Sequence, residues 1–112
     1  MKIVCIAGEF DPLTSMDIEF IKKAKILGDR LYVIVYNDKQ LQLKNNRICK
    51  SVAKERVAII GSMKWVDSAM ISIDDDLSFR KTLIHLKPHI FANNRYENTD
   101  YNELGILTVN IL

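Results

Sequence analysis

Apolar and polar positions along the chain change period several times, and each change marks an element. Ile3 to Ala7 is an unbroken apolar run, as expected of a strand buried on both faces. Gly8-Glu9-Phe10-Asp11-Pro12 interrupts it with the composition of a strand-to-helix turn. From Ser15 to Leu27 the spacing is helical: Ile18, Ile21 and Ala24 share a stripe with Phe20 and Leu27, and Glu19, Lys22, Lys23 and Lys25 stay in water. Gly28 is read as the left-handed residue that ends this helix. Leu31 to Tyr36 is the second strand, closed by Asn37-Asp38, and Lys39 to Lys50 is a polar, lysine-bearing loop. A second helix follows, with Ser51 able to cap it, Val52, Val57, Ile59 and Ile60 on its apolar side, and Gly61 at its end. Trp65 to Ile73 contains the third strand. Asp74-Asp75-Asp76 caps a helix that runs through Leu86 and stops at Pro88. His89 to Ala92 is the fourth strand and Ile106 to Ile111 the fifth.

Strand and helix alternating in this way predict βαβ crossovers around a parallel sheet with a helical layer on each face. No repeat, linker or shift of composition divides the chain, so residues 1–112 read as one α/β domain. In an open sheet of this kind a ligand lies beyond the carboxyl ends of the strands, where the strand order reverses. That makes Gly8 to Asp17 the default site, because the helix starting near Ser15 points N–H groups and a positive dipole end there.

Composition narrows the partners. Sixteen basic and fourteen acidic residues give a net charge of +2, which does not supply the one-sided field of a duplex-binding protein, so no nucleic-acid partner is expected. No apolar run approaches a signal sequence or a membrane span, and a cytoplasmic protein without a membrane partner is expected. Cys5 and Cys49 have no metal-ligand spacing. Cys5 reads as a small buried hydrophobe. His85 and His89 are four apart, but Pro88 breaks the helix between them, so no metal site is expected.

The residues at the first turn sharpen the expectation. Ala7-Gly8-Glu9-Phe10-Asp11-Pro12-Leu13, then a helix closing in Ala24-Lys25-Ile26-Leu27-Gly28-Asp29, resembles the cytidylyltransferase-like nucleotidyltransferases, nearest to the glycerol-3-phosphate cytidylyltransferase type. The likeness continues through Tyr36-Asn37-Asp38, Lys44, Glu55-Arg56, Trp65-Val66-Asp67 and Lys87-Pro88-His89-Ile90-Phe91. It implies a three-layer Rossmann-like sandwich with five parallel strands ordered 3-2-1-4-5. It also implies a homodimer with the region from Lys64 to Asp67 in the interface, a nucleotide or phosphorylated small molecule as ligand, and Mg²⁺ if the protein is active. Gly8, Glu9, Phe10, Asp11, Lys44, Asn93, Asn94 and Arg95 are the implied nucleotide-binding positions, with Asn93 to Arg95 across the crevice from Gly8 to Asp17.

The family's signature is G-x-F-D-x-x-H-x-G-H, and this chain departs from it. Thr14 and Asp17 stand at the two histidine positions and Met16 at the glycine. The family's later serine- and threonine-rich segment would follow the fifth strand, and the sequence ends at Leu112 before it. Nucleotidyl transfer depends on positioning and on cancelling negative charge that builds up on the phosphates. At about 5 Å and an effective dielectric near 20, the Asp17 carboxylate repels each phosphate charge by roughly 3 kcal/mol. In the first turn of a helix, however, Ser15 or Asp17 also serves as an ordinary cap. Asp11 is either a ligand or a holder of its loop. Lys39, Lys44, Arg47 and Lys50 read as solvated surface, with Lys44 also able to reach a phosphate; Arg56 and Lys64 lean to surface or subunit contacts. Three functions are therefore expected in descending order: a divergent relative that binds a nucleotide with transfer lost or much weakened, an active transferase with a rebuilt site, and an interaction module without a small ligand.

Overall fold

The computed structural model describes residues 1–94, 97 and 99–111. Strands β1 (Ile3–Gly8), β2 (Arg30–Val35), β3 (Ser68–Ile71), β4 (Ile90–Asn93) and β5 (Leu107–Asn110) form one parallel sheet in the order β3-β2-β1-β4-β5. This is the expected order. The chain builds outward from β1 to β3, returns to β4, and builds outward again. The reversal therefore falls between β1 and β4, whose register pairs Val4 with Ile90 and Cys5 with Phe91.

β1 reads as an unbroken apolar run because both of its faces are covered. Val4 and Ile6 pack with Phe20, Ile21 and Ala24 of helix α1 (Ser15–Ile26) and with Ile60 of helix α3 (Ala53–Gly61). Cys5 and Ala7 face the opposite cluster, which contains Leu41 of helix α2 (Asp38–Asn45), Leu83 of helix α4 (Arg80–Leu86), Phe79, Phe91 and Tyr101. Each Val, Ile, Leu or Phe side chain among these that is taken fully out of water contributes about 1.5–3 kcal/mol. None of the helices among the described residues is long and apolar enough to cross a membrane.

Four local expectations are corrected. The stretch from Lys39 to Lys50 is not a loop throughout, since α2 occupies Asp38–Asn45. Its helix signal lies in a cap rather than in an apolar stripe: the Asn37 side chain accepts from the Gln40 N–H (2.8 Å), and the Gln40 side chain accepts from the Asn37 N–H (3.0 Å). Gly28 is not left-handed; Gly105, at φ +77°, is the glycine with positive φ among the described residues. Gly28 is needed for closeness instead, since a Cβ there would lie 2.7 Å from Val4 Cγ2 and 2.8 Å from the Lys2 carbonyl oxygen. Ser51 does not cap α3, whose N-cap is Val52 without a side-chain bond; the Asp38 carboxylate accepts the Ala53 N–H (2.8 Å) from a distance. The helix after the aspartate run begins only at Arg80, and Asp74 caps it from outside, accepting the N–H groups of Lys81 (2.8 Å) and Thr82 (3.1 Å).

Candidate functional site

At the carboxyl end of β1 a cleft of about 260 Å³ opens, lined by the stretch from Ala7 to Pro12 together with Thr14, Asp17, Tyr36, Lys44 and Glu97. Its floor explains the Gly-x-Phe pattern. Phe10 adopts a left-handed backbone (φ 53°) and turns its buried ring back over Gly8, so that a Cβ at Gly8 would meet Phe10 Cζ at 2.5 Å. The bare glycine and the folded-back phenylalanine are one packing unit. Asp11 comes next, and its buried carboxylate accepts from the backbone N–H groups of Lys50 (2.8 Å) and Ser51 (2.7 Å), with Arg47 Nη1 3.6 Å away. Burial pushes this carboxyl up, but the two N–H bonds and the nearby Arg56 and Arg47 more than offset it and hold it below the usual carboxylate range. Asp11 thus ties the first loop to the segment before α3.

The positions of the family histidines border the cleft and are bonded to each other. Thr14 is the N-cap of α1: its hydroxyl oxygen accepts the Asp17 N–H (3.3 Å), and the Asp17 carboxylate accepts the Thr14 N–H (2.9 Å) and the Thr14 hydroxyl (3.0 Å). This is a reciprocal cap. Met16, at the glycine position, is exposed.

Beneath the cleft lies a buried cation that sequence reasoning had put at the surface. Arg56, only 1% exposed, donates Nε–H to the Ser51 carbonyl (2.8 Å). Its Nη1 donates to the carbonyls of Glu9 (2.9 Å) and Tyr36 (2.7 Å), and its Nη2 to Asp38 Oδ1 (2.7 Å). One guanidinium therefore ties together the end of β1, the end of β2, the start of α2 and the approach to α3. The signal was present in the sequence as an arginine on the helix face shared with Ala53 and Ile60, but helical spacing alone does not reveal that carbonyls converge there.

Lys44 is part of the cleft wall rather than free surface, and it projects from α2, not from a loop. Its ammonium lies 3.0 Å from Glu9 Oε2 and 4.9 Å from the centre of the Tyr36 ring. The other Glu9 oxygen accepts from Asn45 Nδ2 (2.8 Å). Burial opposes the charge on Lys44, but Glu9 and Tyr36 outweigh it and hold the ammonium above its ordinary pKa. Glu97, which the sequence reading did not select, lines the same cleft, and burial pushes its carboxyl up to about 7, with Lys44 partly opposing the shift.

Of the three residues expected across the crevice, Asn93 is buried and does not line it. Its amide donates to the Thr99 carbonyl (2.9 Å) and accepts from the Thr99 hydroxyl (2.7 Å). Asn94 also stays out of the lining, and Arg95 lies outside the described residues. Among the described residues no group of three or more His, Cys, Asp or Glu side chains could hold a metal ion. Asp11 spends both carboxylate oxygens on backbone N–H groups, and Asp17 Oδ2 takes both the N–H and the hydroxyl of Thr14. These residues do not fit a protein-built Mg²⁺ cage.

A sequence model of the cytidylyltransferase-like family matches residues 5–102. The FAD synthase of Thermococcus sibiricus is 35% identical over 101 residues, which is 90% of this chain and 68% of that protein. The FAD synthase of Thermoplasma volcanium is 34% identical over 101 residues, 90% of this chain and 69% of that protein. Among solved structures, the lipopolysaccharide core biosynthesis protein from Thermoplasma volcanium superposes with a TM-score of 0.88 at 31% identity, covering 100% of this chain and 97% of that one.

Proposed function

The chain belongs to the cytidylyltransferase-like family, and on that premise we propose that it binds a nucleotide or phosphorylated small molecule in the β1 cleft while nucleotidyl transfer is lost or much weakened. The observation that carries this reading is the reciprocal cap of Thr14 and Asp17. At the two positions where the family signature has histidines, the hydroxyl and one carboxylate oxygen are bonded to one another, and neither side chain is a cationic donor for a phosphate oxygen. Loss of a single preorganised donor lowers a rate by about 10²–10³, and here two are replaced, one of them by an anion. Binding keeps its supports: the glycine floor, the positive dipole end of α1 and the Lys44 ammonium all border the cleft. Nucleotide-borne Mg²⁺ would be held chiefly by phosphates and water.

The second reading, an active transferase with a rebuilt site, is favoured by the relatives that are FAD synthases and by the presence of Lys44 in the cleft. One assay separates the two. Pyrophosphate release is followed with CTP plus glycerol 3-phosphate and with ATP plus FMN, each with Mg²⁺ and with Mn²⁺, beside a calorimetric titration of each nucleotide. Binding without release supports the first reading. Robust release abolished by Asp17→Ala establishes the second. A homodimer through the region around Trp65 belongs to the same proposal. That ring is half-buried, with Lys22 and Lys64 ammonium groups 5.2 and 5.1 Å from its centre. Sedimentation as a monomer at tens of micromolar would remove it.

A further inference from the structure

Among the described residues lining the cleft, Lys44 carries the positive charge, and that charge is already engaged. Glu9 takes it up from a rigid position. The Glu9 carbonyl is held by Arg56 Nη1 (2.9 Å), one carboxylate oxygen by Asn45 Nδ2 (2.8 Å), and the other by Lys44 Nζ (3.0 Å). Lys44 and Asn45 are neighbours in the last turn of α2, so consecutive side chains of one helix clasp the two oxygens of one carboxylate. The side chains of Lys44 and Glu9 are 39% and 29% exposed, so water screens their attraction only in part.

We propose that Glu9 is a built-in competitor for the ligand's phosphate: it occupies the Lys44 ammonium, and so sets how tightly the cleft takes an anion. The proposal rests on the nucleotide-binding reading above. An incoming phosphate does not meet a free cation; it must exchange with Glu9 for Lys44. The binding energy it gains is then the difference between two ion pairs rather than the whole of one. The other described side chains lining the cleft add no second cation. Asp17 on α1 carries the phosphate's own sign, Glu97 between β4 and β5 does so once it is ionised, Asp11 is closed by two N–H groups and Arg47, and Tyr36 offers its ring face to the same ammonium. Glu9 acts through Lys44 and is a positioning residue. It also occupies the variable position of the Gly-x-Phe-Asp signature, so the chain can set this competition without disturbing Gly8 or Phe10.

Glu9→Gln tests the proposal, because glutamine keeps an oxygen for Asn45 and removes only the charge. The first readout needs no ligand: acetylation of Lys44 by an activated ester near neutral pH, measured by mass spectrometry against Lys54 in the same molecule. Release from Glu9 should raise the relative rate of Lys44 several-fold, as expected when an ammonium loses its carboxylate partner. The second is calorimetric titration with inorganic pyrophosphate and with Mg·ATP. Glu9→Gln should tighten both by roughly tenfold, by the scale of a partly screened ion pair and one removed repulsion, and adding Lys44→Met should cancel the gain. Asn45→Ala, which loosens the clasp while leaving every charge in place, should give a smaller gain. Unchanged Lys44 reactivity, or unchanged or weaker binding in Glu9→Gln, overturns the competition alone. Raised Lys44 reactivity with no binding by any variant overturns the nucleotide reading and, with it, the competition.

Discussion

Two corners meet at the carboxyl end of β1, and they are built on opposite plans. The α1 corner is local and exposed: Thr14 and Asp17, three residues apart, satisfy each other with bonds of 2.9 to 3.3 Å. The Arg56 corner is long-range and buried, one side chain reaching Glu9, Tyr36, Asp38 and Ser51 across separations of up to 47 residues. The first can be changed with little consequence for the fold, since a cap contributes about 1 kcal/mol. The second cannot, since four acceptors lose their donor together. The buried corner holds this chain's fold together, while the exposed corner is where the chain differs from the family signature.

The largest expected effect follows directly. Arg56→Ala should destabilise the protein by about 3–5 kcal/mol, the range for breaking a buried charged network by removing one partner. Arg56→Lys should recover only part of this, because an ammonium on a shorter reach does not span the same fork of acceptors. Denaturant unfolding of the two variants checks the order. If Arg56→Ala loses no more than Thr14→Ala, the two corners are not built on different plans.

A pH series probes the boundary between the corners. Glu97 has its folded pKa pushed up to about 7 by burial, against an ordinary 4.5. Between those values the folded state holds more protons than the unfolded one, so this group's effect is that stability falls as pH rises from about 4.5 to about 7 and levels off above. A shift from 4.5 to about 7 corresponds to a change on the order of 3 kcal/mol. Asp11, held below its ordinary range, loses its contribution only on acidification below about pH 4, so the two windows do not overlap. Glu97→Gln should flatten the slope between pH 5 and pH 7 in thermal unfolding, and a slope that survives the substitution would assign it to another group.

What the sequence made legible divides along the same line. The apolar runs and their alternation sufficed for the sheet and its two layers, because a strand covered on both faces has no room for polar residues. Gly8, Phe10 and Asp11 were found because a signature of adjacent residues marks them. Lys44 was selected, yet its pairing with Glu9 was not, since that contact joins residues 35 positions apart in separate elements. Helix α2 escaped notice because its evidence is a cap of amides, Asn37 with Gln40, on a helix with few apolar positions. Arg56 was placed at the surface by its charge, and only folding brings three carbonyls and a carboxylate to it. Glu97 had no motif at all. Local patterns report local bonds, and the cleft is made mostly of distant ones.

The smallest change in stability is expected at the exposed corner, and it carries the sharpest functional reading. Asp17→Asn keeps an oxygen that can accept the Thr14 N–H and hydroxyl, so the cap geometry survives. What goes is one negative charge in the first turn of α1, worth about 0.3–1 kcal/mol of favourable interaction with the helix dipole. The unfolding midpoint should therefore drop only slightly. The same charge faces the cleft where phosphate is proposed to lie, so its removal should strengthen binding of Mg·ATP and pyrophosphate while the fold weakens. Opposite signs in the two measurements distinguish a capping aspartate beside a binding cleft from one that participates in the chemistry. Were Asp17→Asn instead to abolish a measurable pyrophosphate release with little change in stability, Asp17 would be part of a working site and the cap only its resting arrangement.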